Sequence, residues 1–240
     1  MTLRRVLAAA MLVTWGIALA IGAVGCGGGK KSTQPPPPDT PPNPNTPVNA
    51  MLLMQWAIQH RDTSQYRTLF TNDFVFAFVA GDTASTNHFA GTWGYGEERT
   101  SARHLFAEGS VNGAVATSIT FPFSGTLTDE PDLRPGKNTT VHRKITALFV
   151  LTVQKADHTS EQIVGGSTFF LVRGDSADVP SDLIAAGVQA NSGRWFMERW
   201  QDETGGVSPA LALHPAALPA RAQAVSLPTW GELKVKYLTP

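Results

Sequence analysis

The sequence lacks the residues on which several large protein classes depend. It holds one cysteine in 240 residues, so an internal disulfide is excluded. Its 19 basic and 19 acidic residues balance, and no basic stripe is present, so nucleic-acid binding has no electrostatic support. No His-Glu-x-x-His motif and no Gly-x-Ser-x-Gly motif occurs. Nothing in the sequence therefore indicates a zinc peptidase or a serine hydrolase.

The single cysteine follows a segment with the order of an export signal. Arg4 and Arg5 precede an uncharged apolar run over 6–22, and small residues lead into Cys26. A positive start, an apolar run and small residues at the cut site are typical of a signal peptide. The passage Ala-Val-Gly-Cys resembles the lipobox of bacterial lipoproteins. We therefore predict that 1–25 is a signal peptide and that Cys26 is the lipidation site.

Two other interpretations of this segment stay open. The apolar run is short for a membrane span, but it is long enough for an uncleaved anchor to remain an alternative. The pair Arg4-Arg5 leaves twin-arginine export as another. Under the lipoprotein interpretation several acyl chains give stable membrane attachment. Gly27 stands where inner-membrane retention signals often carry aspartate, so we expect the outer membrane of the cell envelope, facing the periplasm or the cell surface.

Residues 26–47 predict a tether. Three glycines follow Cys26, and 35–47 holds eight of the 17 prolines of the chain. Such a segment favours extended polyproline II structure, and it has almost no apolar side chains to bury. A spacer between the membrane and a domain is its expected role, and a ligand for a proline-binding module is the alternative. Removal of the signal peptide leaves 17 basic and 19 acidic residues, a net charge of −2.

Residues 48–204 have the length of one folded domain, whose first part predicts three helices. Thr46 and Pro47 fit the N-cap and first position of a helix that ends near residue 60. Asp62 and Gln65 fit a capping box for a second helix. A third helix is expected at 97–107. The face of the first helix that we expect to be buried consists of Val48, Leu52, Leu53 and Trp56.

The rest of the domain predicts β-structure. Residues 74–79 are apolar at even and at odd positions alike, which is typical of a strand buried on both faces. The further strands that we expect cover 87–92, 115–127, 141–154, 162–172 and 194–202. Gly165-Gly166 inside one strand predicts a bulge or a sharp curve. Polar loops are expected at 128–138 and 174–192.

This order of elements predicts an α+β domain, with three N-terminal helices packed on a strongly curved antiparallel sheet. The stretches 61–76 and 193–202 resemble the helix-to-first-strand passage and the closing strand of the nuclear transport factor 2-like (NTF2-like) superfamily. That superfamily includes SnoaL-like and ketosteroid-isomerase-like proteins. The resemblance covers about 49–203. It implies a cone whose pocket, if present, lies between the first helix and the concave face of the sheet.

Five residues are the candidates for lining such a pocket: Trp56, Tyr66, Phe76, Trp93 and Glu198. Enzymes of the family use a carboxylate base in an apolar cone and a tyrosine or acid to hold an oxyanion. Neither Tyr66 nor Glu198 matches a catalytic position of the family, so we assign no catalytic residue. We expect Tyr66 to be a core residue with its hydroxyl at the rim, and Glu198 to be exposed or paired with a neighbouring arginine. The tryptophans are more often core residues than ligand contacts.

Two groups of acids were weighed as calcium sites because Ca²⁺ prefers several oxygen ligands. They are Asp129, Glu130 and Asp132 in one loop and Asp175, Asp178 and Asp182 in the other. Acid-rich loops are more often only solvated, so we predict no metal and no cofactor.

The last segment, 205–240, predicts an Ala- and Pro-rich tail that ends in a short amphipathic helix. Trp230, Leu233 and Tyr237 share one face of this helix. A helix this short is marginal alone, so it must dock to be stable. Docking on its own domain is the expected outcome. Presentation to a partner and disorder are the alternatives.

Three functions follow as hypotheses. The leading one is a non-catalytic, membrane-anchored binding module for a small apolar ligand or for a protein partner of the envelope. The second is an isomerase, cyclase or dehydratase that uses a carboxylate in the cone. The third is a structural module that forms a homodimer through its sheet face.

Overall fold

A computed structural model describes residues 40–79, 91–203 and 228–239. The predicted signal peptide, Cys26 and most of the tether lie outside these residues. So do residues 80–90 of the predicted hairpin and most of the predicted tail. All the described residues belong to one unit, Pro37–Pro240.

The helices begin where the sequence places capping side chains. The Thr46 side chain accepts the amide of Asn49 at the start of the first helix, and the Asp62 side chain accepts the amide of Gln65 at the start of the second. Both predicted N-caps are confirmed. The helices of the described part of the chain are α1 (Pro47–His60), α2 (Thr63–Arg67), α3 (Tyr95–Arg103), α4 (Ser181–Ala185) and α5 (Trp230–Lys236). After α3 the chain continues as a π-helical turn, His104–Glu108.

The face that α1 buries is broader than the predicted stripe. Leu53 and Trp56 are buried, but Leu52 is 37% exposed and Val48 is only partly buried. The fully buried residues include neighbours that the stripe omits: Met51, Met54, Ala57 and Ile58. Because α1 contacts strands on more than one side, a single apolar stripe underestimates its buried surface.

The strands form one sheet. They are β1 (Phe70–Ala77), β2 (Thr92–Gly94), β3 (Ala116–Thr120), β4 (Phe123–Ser124), β5 (Glu130–Pro131), β6 (His142–Lys155), β7 (Ser160–Arg173) and β8 (Trp195–Asp202). The order across the sheet is β2-β1-β8-β7-β6-β3, and β4 and β5 also pair with β6. The long hairpin of β6 and β7 pairs without a register shift from His142↔Val172 to Gln154↔Ser160.

The predicted fold class needs two corrections. The domain is α+β, but the sheet is mixed, because β1 and β8 pair in parallel while the other pairs are antiparallel. The described residues hold five helices, since the predicted loop 174–192 contains α4. No bulge occurs at Gly165-Gly166. Instead, a Cβ at Gly166 would lie 3.1 Å from Cδ2 of Leu148, so this glycine allows a cross-strand side chain to lie over the backbone.

One of the register shifts of the sheet lies between β7 and β8. Leu171 pairs with Met197 and Phe170 pairs with Arg199, which leaves Glu198 as an extra residue in β8. A bulge of this kind changes the direction in which neighbouring side chains point.

The core lies between the helices and the inner face of the sheet. Alternate residues of β6 point inward, among them Ile145, Ala147, Phe149, Leu151 and Val153. α5 completes this core, because Trp230, Leu233 and Tyr237 are each at most 2% exposed. A smaller apolar cluster, Val172, Val179, Leu183 and Phe196, lies apart from the main core.

Candidate functional site

Four polar side chains from four different elements meet inside the core. Tyr66 belongs to α2, Trp93 to β2, Glu98 to α3 and Lys234 to α5. Glu98 is 1% exposed and Lys234 is 2% exposed. Charged side chains are almost never this deeply buried unless they are paired, so their partners decide what the cluster does.

The Glu98 carboxylate accepts hydrogen bonds from all three of the other side chains. Nζ of Lys234 lies 2.8 Å from Oε1 and 2.7 Å from Oε2. The Tyr66 hydroxyl donates to Oε1 at 2.5 Å, and the Trp93 indole nitrogen donates to Oε2 at 3.0 Å. The desolvated carboxylate is therefore saturated with donors, which is the condition under which a buried charge is tolerated.

Aromatic rings surround the Lys234 ammonium group. Nζ lies 3.9 Å from the ring centroids of Phe76 and Trp200, 5.1 Å from that of Trp230 and 5.8 Å from that of Trp93. Ring faces attract cations, and the attraction grows when water is excluded. We call these four rings with Glu98 the lysine cage. The cage holds the ammonium through one carboxylate and several aromatic faces.

The electrostatics of the cage follow from its burial. Burial lowers the pKa of Lys234 from its ordinary value of 10.5 to about 8, while the charges of Glu98 and Asp202 act in the opposite direction. Burial also raises the pKa of Tyr66, and the negative charge of Glu98 and its hydrogen bond raise it further. Tyr66 therefore stays a hydrogen-bond donor at neutral pH.

α5 is fixed at both of its ends. The Thr229 side chain accepts the amide of Glu232, whose carboxylate accepts the amide of Thr229, which together form a capping box. The buried carboxylate of Asp202 accepts the amide of Gly231 at 3.0 Å, and a negative charge there also suits the helix dipole.

At the C-terminal end, side chains of the α3 region satisfy carbonyls that a helix leaves unpaired. The Ser101 hydroxyl donates to the carbonyl of Lys234 at 2.8 Å, and Nδ1 of His104 lies 2.7 Å from the carbonyl oxygen of Tyr237. The Tyr237 ring lies against Gly113, where a Cβ would come within 2.7 Å of the ring. The structure thus places the C-terminal helix on its own domain, as expected.

The chemistry open to the lysine cage is limited by its closure. Lys234 occupies both oxygens of the buried Glu98 carboxylate, so neither oxygen is free to accept a proton from a substrate. A general base must reach the proton that it removes, directly or through one water. With both charges at most 2% exposed, the arrangement stabilises α5 rather than presenting a reactive group.

The predicted lining residues separate into three places. Tyr66, Phe76 and Trp93 all belong to the cage or contact it, and the Tyr66 hydroxyl faces Glu98 rather than the rim. Trp56 is a core residue whose ring stacks on His60 at a centroid distance of 4.0 Å. The structure therefore brings three of the five together.

Glu198 lies in a different cluster, because the bulge in β8 separates it from the inward-facing residues. Its carboxylate accepts hydrogen bonds from Arg134 and from Lys137, the latter at 2.9 Å. Arg134 also pairs with the buried Asp132 and lies over the ring of Phe170 at 3.8 Å. Burial opposes ionisation of Asp132, but hydrogen bonds from Arg134 outweigh it and lower the pKa. Of the two expectations for Glu198, exposure or pairing with an arginine, the structure shows the pairing.

The central pair of the cage, Glu98 and Lys234, was not predicted from the sequence. A signal for Lys234 is nevertheless present, because it lies four residues after Trp230 and three before Tyr237. Residues at these spacings share one face of a helix. A lysine on a face with two large aromatic residues indicates a buried cation, and a buried cation requires an acid.

Most acids of the two candidate calcium trios form ion pairs with basic side chains. Asp129 pairs with Arg143, and Glu130 pairs with Lys144. Asp175 pairs with Arg173, and Asp182 with Arg99. Within the described residues no group of three metal-ligating side chains is present. No helix in those residues is long and apolar enough to span a membrane.

Comparison with known proteins finds likeness only among solved structures. No protein-family model and no curated protein sequence matches the chain. A putative scytalone dehydratase from Novosphingobium aromaticivorans is 8% identical over 64% of this chain and 78% of its own, with a TM-score of 0.44. A putative aromatic ring hydroxylase from the same organism is 13% identical over 64% and 82%, with a TM-score of 0.42.

An NTF2-like superfamily protein from Salmonella enterica is 10% identical over 63% of this chain and 83% of its own, with a TM-score of 0.40. The structural neighbours thus include the superfamily that the sequence resembles. At these identities and TM-scores the likeness assigns neither an activity nor a substrate to the chain.

Proposed function

We propose that the chain is a cell-envelope lipoprotein, held in the membrane by acyl chains on Cys26, whose domain is a non-catalytic module that binds a protein partner. The observation that carries the proposal is the sealed lysine cage. Lys234 neutralises Glu98 where an isomerase, cyclase or dehydratase would need a free carboxylate. A domain closed in this way has its outer surface available for recognition.

The filled interior also favours a protein partner over a small apolar ligand. The rings of Trp200 and Trp230 stack at a centroid distance of 5.6 Å, and Phe121 lies over Trp230 at 6.4 Å. Leu233 and Tyr237 are 0% exposed beside them. Side chains of α5 thus occupy the space between the helices and the sheet where an internal ligand was expected.

An uncharged surface on the outer face of β6 and β7 is the proposed contact. We call it the outer strip, and it consists of the outward-facing residues Thr146, Leu148, Val150, Thr152, Gln162, Val164 and Thr168. Leu148 at its centre is 55% exposed. Protein interfaces are depleted of charge at their centre, which this strip matches.

A second copy of the chain is the second candidate for this contact. The outer strip lies on two long antiparallel strands, and a two-fold dimer places the same patch of both copies face to face. The seven residues of the outer strip carry no charge, so self-pairing centred on them would place no like charges directly opposite each other. This is the structural role expected of a homodimerising sheet.

The anchor is tested by metabolic labelling of the full chain with a radioactive fatty acid in bacterial cells. We expect label on the wild-type protein and recovery in the membrane fraction. Cys26→Ser is expected to lose the label and to leave the membrane. A labelled Cys26→Ser variant would contradict the anchor.

The partner surface is tested by photocrosslinking in the same cells. A photoreactive amino acid at Leu148 reports on the outer strip, and the same residue at Asp157, in the exposed β6–β7 turn, is the control. We expect a discrete adduct from position 148 only, whose mass distinguishes a homodimer from a different protein. The absence of any adduct at position 148 would contradict the proposed contact.

A further inference from the structure

A pocket of about 680 Å³ lies outside the lysine cage and the outer strip. Its walls come from α2, from the loop that follows α4 and from the segment before α1. Ligand sites for small molecules have volumes of about 300–1,000 Å³. The pocket is therefore large enough for a molecule well beyond a single ion.

Two arginines lie on the wall of this pocket. Arg67 is the last residue of α2, and Arg194 immediately precedes β8. Nη2 of Arg194 donates to the carbonyl oxygen of Thr68 at 3.0 Å and to its hydroxyl at 2.9 Å. Because Thr68 follows Arg67 in the chain, these bonds hold the Arg194 guanidinium close to the Arg67 backbone.

Both arginines have donors that the described residues do not use. Nε of Arg67 and Nε of Arg194 are buried, and neither has a hydrogen-bond partner in the ranges that the structure describes. More than nine in ten buried polar groups in proteins are paired, so two such atoms on one pocket require an explanation. Burial without a bonded acceptor leaves both guanidinium groups poorly compensated, and an anion in the pocket would supply the missing negative charge.

These arginines also differ from several other arginines of the domain, which have a carboxylate as a counter-ion. Arg143 pairs with Asp129 at 2.6 Å, and Arg173 pairs with Asp175 at 2.8 Å. In contrast, burial alone lowers the pKa of Arg194, and no carboxylate opposes that shift. The pocket therefore carries positive charge without a matching acid.

The remaining lining is polar and uncharged on most of its surface. Asn43, Ser64, Gln65 and Gln189 contribute amide and hydroxyl groups, while Leu183 and Val188 form an apolar part. Amides and hydroxyls donate and accept hydrogen bonds, which suits the hydroxyl groups of a sugar. Arginine forks suit a carboxylate or a phosphate group.

We propose that this pocket binds a small polyhydroxylated anion, such as a sugar phosphate or a sugar acid, whose anionic group is held by Arg67 and Arg194. The site is independent of the lysine cage and of the outer strip. It would give the domain a small-molecule ligand in addition to its protein partner.

Isothermal titration calorimetry on the full chain in a non-ionic detergent tests the site. The probes are glucose 6-phosphate, glucuronate and uncharged glucose. We expect at least one of the two anions to bind with a dissociation constant below about 1 mM at low salt, and glucose to bind at least tenfold more weakly. The two anions differ in their charged group, so their comparison distinguishes a phosphate from a carboxylate ligand.

The variant Arg67→Gln removes one charge from a side chain whose Nε makes no hydrogen bond, so the fold should be retained. We expect it to weaken binding of the anion about tenfold, the usual size of one charge-assisted hydrogen bond. Arg194→Lys keeps the charge but loses the planar fork, and it should weaken binding to a similar degree. Arg143→Gln is the matched control and should bind as the wild type does.

Two outcomes would overturn the proposal. One is that neither anion binds more tightly than glucose. The other is that Arg67→Gln and Arg194→Lys, shown to be folded by circular dichroism, bind the anions as tightly as Arg143→Gln does.

Discussion

Lys234 and Glu98 are held inside the protein by geometry rather than by charge alone. Removing two charges from water costs several kcal/mol for each ion, and only good geometry with further hydrogen bonds offsets that cost. Here the carboxylate receives three donors, and the ammonium lies 3.9 Å from two ring centroids. The pair therefore specifies one position of α5 more than it adds to the free energy of unfolding.

Each buried charge depends on the other for its compensation, and removal of one partner should reveal how strongly. Glu98→Gln leaves the Lys234 cation buried without its carboxylate, so we expect the free energy of unfolding to fall by about 3–5 kcal/mol. The control Glu130→Gln removes a carboxylate that is 53% exposed and lies 3.1 Å from Lys144, which should cost less than about 1 kcal/mol. Urea unfolding of both variants measures the difference. Equal small losses would show that the pair is not buried.

The pH dependence of stability has a definite sign for this pair. Lys234 has a folded pKa of about 8 and an ordinary value of 10.5, so between these values the unfolded chain binds more protons. Its contribution to the free energy of unfolding therefore increases as pH rises from about 8 towards 10, and it is constant below that window. The raised pKa of Tyr66 acts in the opposite direction above about pH 10.

We expect the wild type to gain stability over this window relative to the double variant Glu98→Gln/Lys234→Met, which lacks both ionisable groups. The gain should be on the order of 2 kcal/mol from pH 8 to pH 10. Urea unfolding at pH 7, 8, 9 and 10 measures it. A difference between the two proteins that falls over this range would contradict the assignment of the lowered pKa to Lys234.

At the scale of single residues, the sequence shows which side chains belong to the interior better than it shows which side chains contact each other. Tyr66, Phe76 and Trp93 were recognised as candidates because large aromatic residues near an expected cone form its lining. Glu98 was not, since an acid near the start of a helix is also explained by the helix dipole. Only the contact between residues 136 positions apart shows that it faces Lys234.

Among the elements, α5 depends most on tertiary contacts. A seven-residue helix is marginal in water, so its stability comes from packing and from its capping box. Trp230, Leu233 and Tyr237 supply the packing, as their spacing predicts. What the spacing does not show is the surface that receives them, because that surface is assembled from α3, β1 and β8.

Truncation of one of these side chains tests the docking of α5. Leu233 is 0% exposed, so Leu233→Ala should lower the free energy of unfolding by about 2–5 kcal/mol. Leu133 is 80% exposed, and Leu133→Ala should change it by less than about 0.5 kcal/mol. Chemical denaturation of the two variants measures both effects. Near-equal effects would contradict the packing of α5 in the core.

The elements that local signals mark were predicted well, and those set by distant pairing were not. Thr46 and Asp62 mark the starts of α1 and α2 because capping is a contact within three residues. α4 was missed because its N-cap position is Pro180, which offers no capping side chain. The parallel pairing of β1 with β8 was missed because the two strands are more than 100 residues apart.

Considered as a whole molecule, the described domain is an α+β fold whose interior is filled by its own C-terminal helix. The C-terminal helix also brings Lys234 to Glu98, so this buried carboxylate is paired and not free to act as a base. The two surfaces proposed for recognition, the outer strip and the arginine pocket, both lie outside this interior. The predicted lipid anchor at Cys26 would hold these surfaces at a membrane.

Acylation of lysines in the native protein tests the closed cone most directly. At pH 8 an accessible amine with a pKa of about 8 reacts faster than an ordinary lysine, whereas a sealed one does not react. The side chain of Lys234 is 3% exposed and that of Lys236, two residues later, is 39% exposed. After brief treatment with an N-hydroxysuccinimide acetate, mass spectrometry should find Lys236 modified and Lys234 protected. Modification of Lys234 as fast as Lys236, or faster, would show that the cone is open and contradict the account.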